Sequence, residues 1–288
     1  MRILFCRPDS PQDTDDRLAL EADALDELGV RHDAIAIEDV VDDELERALA
    51  PLGDLDDDVL YRGWMLTADE YGRLETAIAD RGGALVVDPD AYEAAHYLPS
   101  WFPAVADRSP ATCWTWGTDA AEAWALAQAL GPPPYVVKDH VKSAKERWAE
   151  ACFVPADADA AAFAATCAAL VDARGDRFER GLVVRRYVPL ASVDGAAGER
   201  DEHRLFFWRG RLIASAPYHD VDVADPPLAQ FAPLGRAIAS PFFSLDVART
   251  IAGGWIVLEV GDGGVSTLPP TMDPRALYRA IATGEVRA

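Results

Sequence analysis

Between residues 138 and 262 the chain carries two sets of charged side chains of opposite sign. Lys138, Lys142, Arg186 and Arg204 lie at strand ends or in loops, while Glu202, Asp246, Glu259 and Asp262 lie on or just beyond strands. Cations of this kind grip phosphate oxygens, and hard carboxylate oxygens take Mg²⁺, so the two sets together suit the binding of a nucleoside triphosphate. The stretch "GGWIVLEVGDGG", residues 253 to 264, poses the problem most sharply. Glu259 ends a wholly apolar run, where a carboxylate is costly unless it meets a cation or an arginine. In "EHRLFFW" the two-residue period puts Glu202, Arg204 and Phe206 on one face and His203, Leu205 and Phe207 on the other, so a charged pair lines something polar.

Each of these residues also has a plainer reading. Lys138 would serve as a strand-end lysine reaching for solvent, Arg204 and Glu202 as a cross-strand ion pair, Asp246 as the cap of the "VART" turn, and Asp262 as a turn residue in "GDGG". Arg185 and Arg186 alternate faces, which leaves one of them for the surface. His140 and His203 have no ligand partners at useful spacing. No serine, cysteine or histidine arrangement points to a covalent enzyme intermediate.

The elements that must hold these side chains fall into two kinds. Up to about residue 87, "RILFC", "HDAIAI", "DVLY" and "GALVV" read as strands that alternate with helices at 14 to 29 and 67 to 81, the pattern of a parallel sheet covered by helices. "PSWFPAVADRSP", residues 99 to 110, interrupts the pattern with three prolines and marks the expected domain boundary. Beyond it come "PPPYVVKDH", an alanine-rich helix around 156 to 173, "GLVVRRYVPL", the hairpin "EHRLFFW"–"GRLIASAPY" turning at Arg209-Gly210, a helix over 226 to 239, and the strands "FFSLDVART" and "GWIVLEV". This half reads as α+β with mainly antiparallel sheet.

Composition bounds the partners. The 288 residues carry 27 basic and 49 acidic side chains, a formal charge of −22, which repels nucleic acid and anionic membrane. No apolar run approaches the ~20 residues that span a bilayer, and the first ten residues do not resemble a signal peptide, so the chain reads as a soluble cytoplasmic protein. Cys6, Cys113, Cys152 and Cys167 lack CxxC spacing and read as small core residues.

From about Ser109 onward, "YVVKDHVKS", "LVVRRYVPL", "EHRLFFWRGRLIA", "SLDVA" and "GGWIVLEVGDGG" follow one another in an order that resembles the ATP-grasp superfamily, more narrowly its bacterial and phage clade characterised by two arginines and a lysine. The resemblance implies an α/β domain over residues 1 to 108 and, over 109 to 288, an α+β ATP-grasp fold of two subdomains with mainly antiparallel sheets and a hinge near 184 to 190. Lys138 then matches the lysine that reaches the α- and β-phosphates, and Lys142 and Ser143 the flexible phosphate-covering loop. Val184, Arg185, Arg186 and Tyr187 match the hinge beside the adenine. Arg185 and Arg186 replace the acid that often holds the ribose, which makes Arg186 a candidate phosphate or substrate ligand, and Glu202 is placed among the nucleotide-binding residues. Arg204 matches the arginine facing the transferred phosphoryl group. Asp246 and Glu259 match the metal carboxylates, and Asp262 is a third candidate, because Gly261 stands where the usual Glu-x-Asn pattern has asparagine.

The activity so implied is an ATP- and Mg²⁺-dependent, ADP-forming ligase that joins a small-molecule, peptide or protein carboxylate to an amine or another nucleophile through an acyl phosphate, with Arg204, Lys138 and Arg186 as its catalytic set. A non-catalytic nucleotide sensor on the same fold is the alternative. A ligase-type nucleotidyltransferase needs a Lys-x-Asp-Gly motif that "KDHV" lacks. Arg62 in "YRGWM" follows a strand in the α/β half, where it would meet either a substrate carboxylate or the nearby aspartates.

Overall fold

The computed structural model describes residues 1–8, 16–192, 200–220 and 223–283. These divide into two compact units, one comprising residues 1–96, 192–247 and 259–288 and the other residues 97–191 and 248–258. The second unit thus begins at Tyr97, just ahead of the proline-rich stretch, and the first takes in both ends of the chain.

In the first unit, β1 (Arg2–Arg7), β2 (His32–Ala36), β3 (Asp58–Arg62) and β4 (Ala84–Leu85) form a sheet in the order β2-β1-β3-β4. All three of its pairings are parallel, as the strand-helix alternation predicts. The crossovers are α1 (Asp16–Leu28), α2 (Ile37–Val41) with α3 (Leu45–Leu49), and α4 (Ala68–Ala79), followed by α5 (Pro89–His96). α4 begins where Thr67 makes a capping box: its hydroxyl accepts from the Glu70 amide at 3.2 Å and the Glu70 carboxylate accepts from the Thr67 amide at 2.6 Å.

The second unit contributes α6 (Leu98–Val105), β5 (Thr112–Trp114), α7 (Ala120–Ala127), β6 (Tyr135–Asp139), α8 (Trp148–Ala151), β7 (Phe153–Val154), α9 (Ala160–Arg174) and β8 (Leu182–Arg186). Its sheet runs β5-β8-β6-β7 and is antiparallel throughout. Pro99 to Pro110 is not an open linker. Pro99 sits in the first turn of α6, where the missing N–H costs nothing, and Pro103 lies inside the helix, so most of the stretch is helical.

β9 (Glu202–Trp208), β10 (Arg211–Pro217), β11 (Phe242–Arg249) and β12 (Trp255–Asp262) make the last sheet, in the order β10-β9-β11-β12. Arg209 and Gly210, at φ of 46° and 80°, form the tight turn expected between β9 and β10. Between β10 and β11 the chain makes a short helix, α10 (Leu228–Phe231), and a 3-10 turn over Ala232–Arg236 instead of the single longer helix expected, since Pro233 denies an amide to its continuation. α11 (Pro274–Thr283) closes the described chain and packs on α1.

The core of the first unit joins what the sequence separates. Ile3, Leu60, Tyr71 and Leu74 from the parallel sheet and α4 belong to one apolar cluster with Phe206, Trp208, Phe242, Leu277 and Ile281. Among the described residues no helix is long and apolar enough to cross a membrane.

Candidate functional site

In the first unit the charged face of the last sheet is built on three strands. β9 supplies Arg204, β11 supplies Asp246 and β12 supplies Glu259. The Arg204 side chain is buried, and it donates from Nε and Nη2 to the two oxygens of Asp246, both at 2.8 Å, and from Nη1 to the Thr267 carbonyl at 2.8 Å. The Tyr218 ring lies 4.7 Å from its guanidinium carbon. Burial alone would lower its pKa, but the Asp246 carboxylate, aided by Tyr218 and Glu259, raises it above the ordinary arginine value. The cross-strand partner of Arg204 is therefore Asp246 rather than Glu202, and two carboxylates act on one fixed cation.

Glu259 and Gly261 share a face of β12, two residues apart. A side chain at Gly261 would meet the hydroxyls of Ser266 at 3.0 Å and Ser244 at 3.3 Å, which are themselves 2.7 Å apart. Two neutral hydroxyls thus stand beside the position where the resembled pattern has an asparagine.

Asp262 lies three residues beyond Glu259, on the opposite face of the strand. It is 1% exposed, Oδ1 accepts from the Gly264 amide at 2.8 Å, and Oδ2 has no hydrogen-bond partner. Burial pushes its pKa up to about 7. Around it the "GDGG" turn lies against the end of β3: the Gly63 amide donates to the Gly264 carbonyl at 2.9 Å, and a Cβ on Gly264 would come within 2.5 Å of the Tyr61 carbonyl.

Arg62 holds this turn. From Nη1 it donates to the carbonyls of Gly263, Gly264 and Ser266 at 3.3, 3.1 and 2.7 Å, and from Nε and Nη2 to Glu21 at 2.7 Å each, with Tyr278 donating to the same carboxylate at 2.5 Å. At 2% exposed it meets neither a substrate nor the nearby aspartates, because Glu21, an acid far away in the sequence, has claimed it.

In the second unit Lys138 lies on β6 and is buried. Its neighbour Asp139, fully buried, organises the loop that follows. Oδ1 accepts the amides of Val141 and Lys142 at 2.7 and 2.5 Å, and Oδ2 accepts from Arg174 at 2.8 Å and from the Glu179 amide at 3.3 Å. Lys142 and Ser143 are half-buried on that loop. Asp139 escaped the sequence reading, although an aspartate accepting from the residues two and three ahead is the ordinary start of such a turn.

The two arginines of β8 part as the strand alternation requires. Arg185 is locked by Leu258 O at 2.6 Å, Ser109 Oγ at 2.7 Å and Thr112 Oγ1 at 3.2 Å, while Arg186 reaches the Pro132 carbonyl. Val184 lies between β5 and β6, and the amides of Arg186 and Tyr187 donate to the carbonyls of Ala111 and Pro134 at 2.9 and 3.1 Å.

His140 is buried, with Nε2 2.8 Å from the Thr115 carbonyl, and burial lowers its pKa. His203 is buried too, with its pKa likewise lowered by burial. Both histidines fit the ordinary polar role read from the sequence. All four cysteines are free; Cys6, Cys152 and Cys167 are buried and Cys113 is partly so.

Among the described residues no group of three or more His, Cys, Asp or Glu side chains is placed to hold a metal ion. The three expected carboxylates therefore do not form one set. Asp246 and Glu259 bear on Arg204 together, while Asp262 faces away. A pair of carboxylates still fits Mg²⁺, which keeps several waters and completes its shell with substrate phosphates.

A family model described as "ATP-grasp domain, R2K clade family 3" matches residues 129–281, just over half of the chain. No curated protein matches the sequence. Solved structures that resemble the fold include an ATP-grasp RimK domain protein from Sphaerobacter thermophilus, at TM-score 0.62 and 17% identity over 98% of this chain and 99% of that one. The D-cycloserine synthetase DcsG gives TM-score 0.63 and 13% identity over 98% and 100%. The ATP-grasp ligase PsnB, complexed with a minimal precursor, Mg and ADP, gives 0.56 and 12% over 98% and 97%.

Proposed function

The chain belongs to the ATP-grasp domain R2K clade, family 3, and on that premise we propose that it is an ATP- and Mg²⁺-dependent ligase that activates a carboxylate as an acyl phosphate, releases ADP, and couples the acyl group to an amine or another nucleophile. The observation that carries this reading is the buried, doubly bonded Arg204–Asp246 pair with Glu259 beside it. A guanidinium held in one orientation is preorganised to stabilise negative charge developing on a transferred phosphoryl group, and the N–H groups left after Asp246 and Thr267 would meet phosphate oxygens.

Asp246 and Glu259 would hold the metal, which neutralises phosphate charge when bound. Each oxygen of Asp246 accepts one bond from Arg204 and keeps a second lone pair for that purpose. Asp262, on the other face, orders the turn instead. In the second unit Lys138 would bind the α- and β-phosphates, and Asp139 would shape the covering loop that carries Lys142 and Ser143. Val184 to Tyr187 would lie beside the adenine, with the amides of Arg186 and Tyr187 already donated to Ala111 and Pro134. Arg185 is a strut of the sheet, which leaves Arg186 as the one of the two that would act as a ligand. The reaction then rests on positioning and charge neutralisation.

Trapping with hydroxylamine tests the chemistry. With a panel of carboxylates, an accepted substrate yields ADP and a hydroxamate in equal amounts, and Glu259→Gln loses both. AMP and pyrophosphate in their place would mean an adenylate and would overturn the reading.

A further inference from the structure

The first unit carries a half-open cleft of about 750 Å³, within the range of small-molecule sites. Its wall includes Ala24 on α1, Arg204, Tyr218 at the end of β10, and the segment around Pro269 and Met272 that leads into α11. Pro269, Pro270 and Pro274 line it as well. Their fixed φ angles make this rim stiff, so a ligand pays little to order it.

The charges on the wall do not cancel. Glu21 is neutralised by Arg62 and Arg204 by Asp246, while Arg275 is shared by Glu27 at 2.8 Å and Asp273 at 3.3 Å. Asp23 and Asp220 also line the cavity, are exposed, and have no ion-pair partner among the described residues. Once the pairs are matched, the described residues leave a half-open chamber with two carboxylates to spare. Excess charge of one sign beside low-dielectric walls attracts the opposite charge.

We infer that this cavity seats the organic substrate of the ligase and selects one bearing a side-chain ammonium or guanidinium group, which Asp23 and Asp220 hold while Arg204 lines the same chamber. The cationic group is a recognition handle and not the attacking nucleophile, since a protonated amine has no lone pair to give. The substrate class is accordingly a basic amino acid or a peptide with a basic side chain. The inference rests on the ligase reading, because only that reading makes the chamber beside Arg204 a substrate site.

Three Nα-acetylated amino acids of similar length isolate the terminal charge: Nα-acetyl-L-lysine (positive), Nα-acetyl-L-norleucine (neutral) and Nα-acetyl-L-2-aminoadipate (negative). Binding of each to the full chain is measured by calorimetry or ligand-observed NMR at low salt, with and without Mg-ATP. Lysine should bind at least tenfold more tightly than norleucine, with aminoadipate weakest. Asp23→Asn with Asp220→Asn, both at exposed positions, should erase that order while leaving the melting temperature and the thermal shift produced by Mg-ATP unchanged. Equal binding of lysine and norleucine, tighter binding of aminoadipate, or an unaltered lysine preference in the double variant would each overturn the assignment. A normal Mg-ATP shift with no lysine preference removes this inference alone, whereas a lysine preference in a protein blind to Mg-ATP removes the ligase reading and keeps the cation site.

Discussion

Arg204 and Asp262 show how differently two charged residues behave in the same sheet. Arg204 tolerates burial because Asp246 accepts from both arms of its Nε–Nη2 fork. In the proposed mechanism Arg204→Lys keeps the charge and loses the fork, so turnover should fall by ~10² or more with little change in ATP affinity, as steady-state kinetics would show. An unchanged rate would make the arginine structural.

Asp262 is buried without a counter-charge that matches it. Its pKa of about 7 lies above the ordinary 3.8, so between those values the folded chain keeps a proton that the unfolded chain has released. Stability therefore declines as pH rises from about 4 toward 7 and levels off above it, a loss of up to roughly 4 kcal/mol for the whole shift. Asp262→Asn removes the titrating group, and its melting temperature should vary less than that of the wild type between pH 5 and 8. Parallel pH profiles for the two proteins would show that the carboxylate is already ionised.

Both residues stood out in the sequence as charges, Arg204 on the charged face of "EHRLFFW" and Asp262 in the "GDGG" turn. What separates them was visible too, because a spacing of three along a strand sends Glu259 and Asp262 to opposite faces. The partners were not visible: Asp246 lies on a different strand from Arg204, and Glu21, which claims Arg62, is brought in only by the fold.

Among the elements, strands and turns with strong local signals fell where the sequence placed them. β1, β9 and β10 carry their own alternation or apolar run, and Arg209-Gly210 takes the left-handed angles that the hairpin needs. Elements whose form depends on tertiary context were less legible, such as the helix that occupies the proline-rich boundary stretch after Tyr97 and the broken helix before β11. The loop after β6 shows the same dependence, since Asp139 organises it only by meeting Arg174 from α9.

Asp139→Asn should weaken that anchor. A cost of about 2–4 kcal/mol in chemical denaturation is expected, in line with breaking a buried charged hydrogen-bond network, together with a rise in KM for ATP larger than the fall in kcat. At the other end of the scale of effects, Thr67→Ala removes one half of a capping box and should cost about 1 kcal/mol without altering kinetics.

At the level of the whole molecule, the sequence reading separated an α/β domain of residues 1 to 108 from the rest. The structure gathers Phe206, Phe242, Leu277 and Ile281 into one core with β1, β3 and α4, and Arg62 ties β3 to the "GDGG" turn. Periodicity finds which residues are buried, but not which distant ones they are buried against. A fragment of residues 1–108 should accordingly lack a cooperative melting transition, because part of its apolar surface has lost its cover. A sharp transition in the fragment would show that its core closes by itself.

The central claim, a Mg²⁺-dependent nucleotide site built on Arg204, Asp246 and Glu259, is tested most directly by the melting temperature of the full chain with millimolar ATP, with and without Mg²⁺, beside Glu259→Gln. A ligand that binds only the folded state raises stability by mass action. The account predicts an upward shift that needs both ATP and Mg²⁺ and is lost in the variant. No shift in the wild-type protein, or an equal shift in Glu259→Gln, would contradict it.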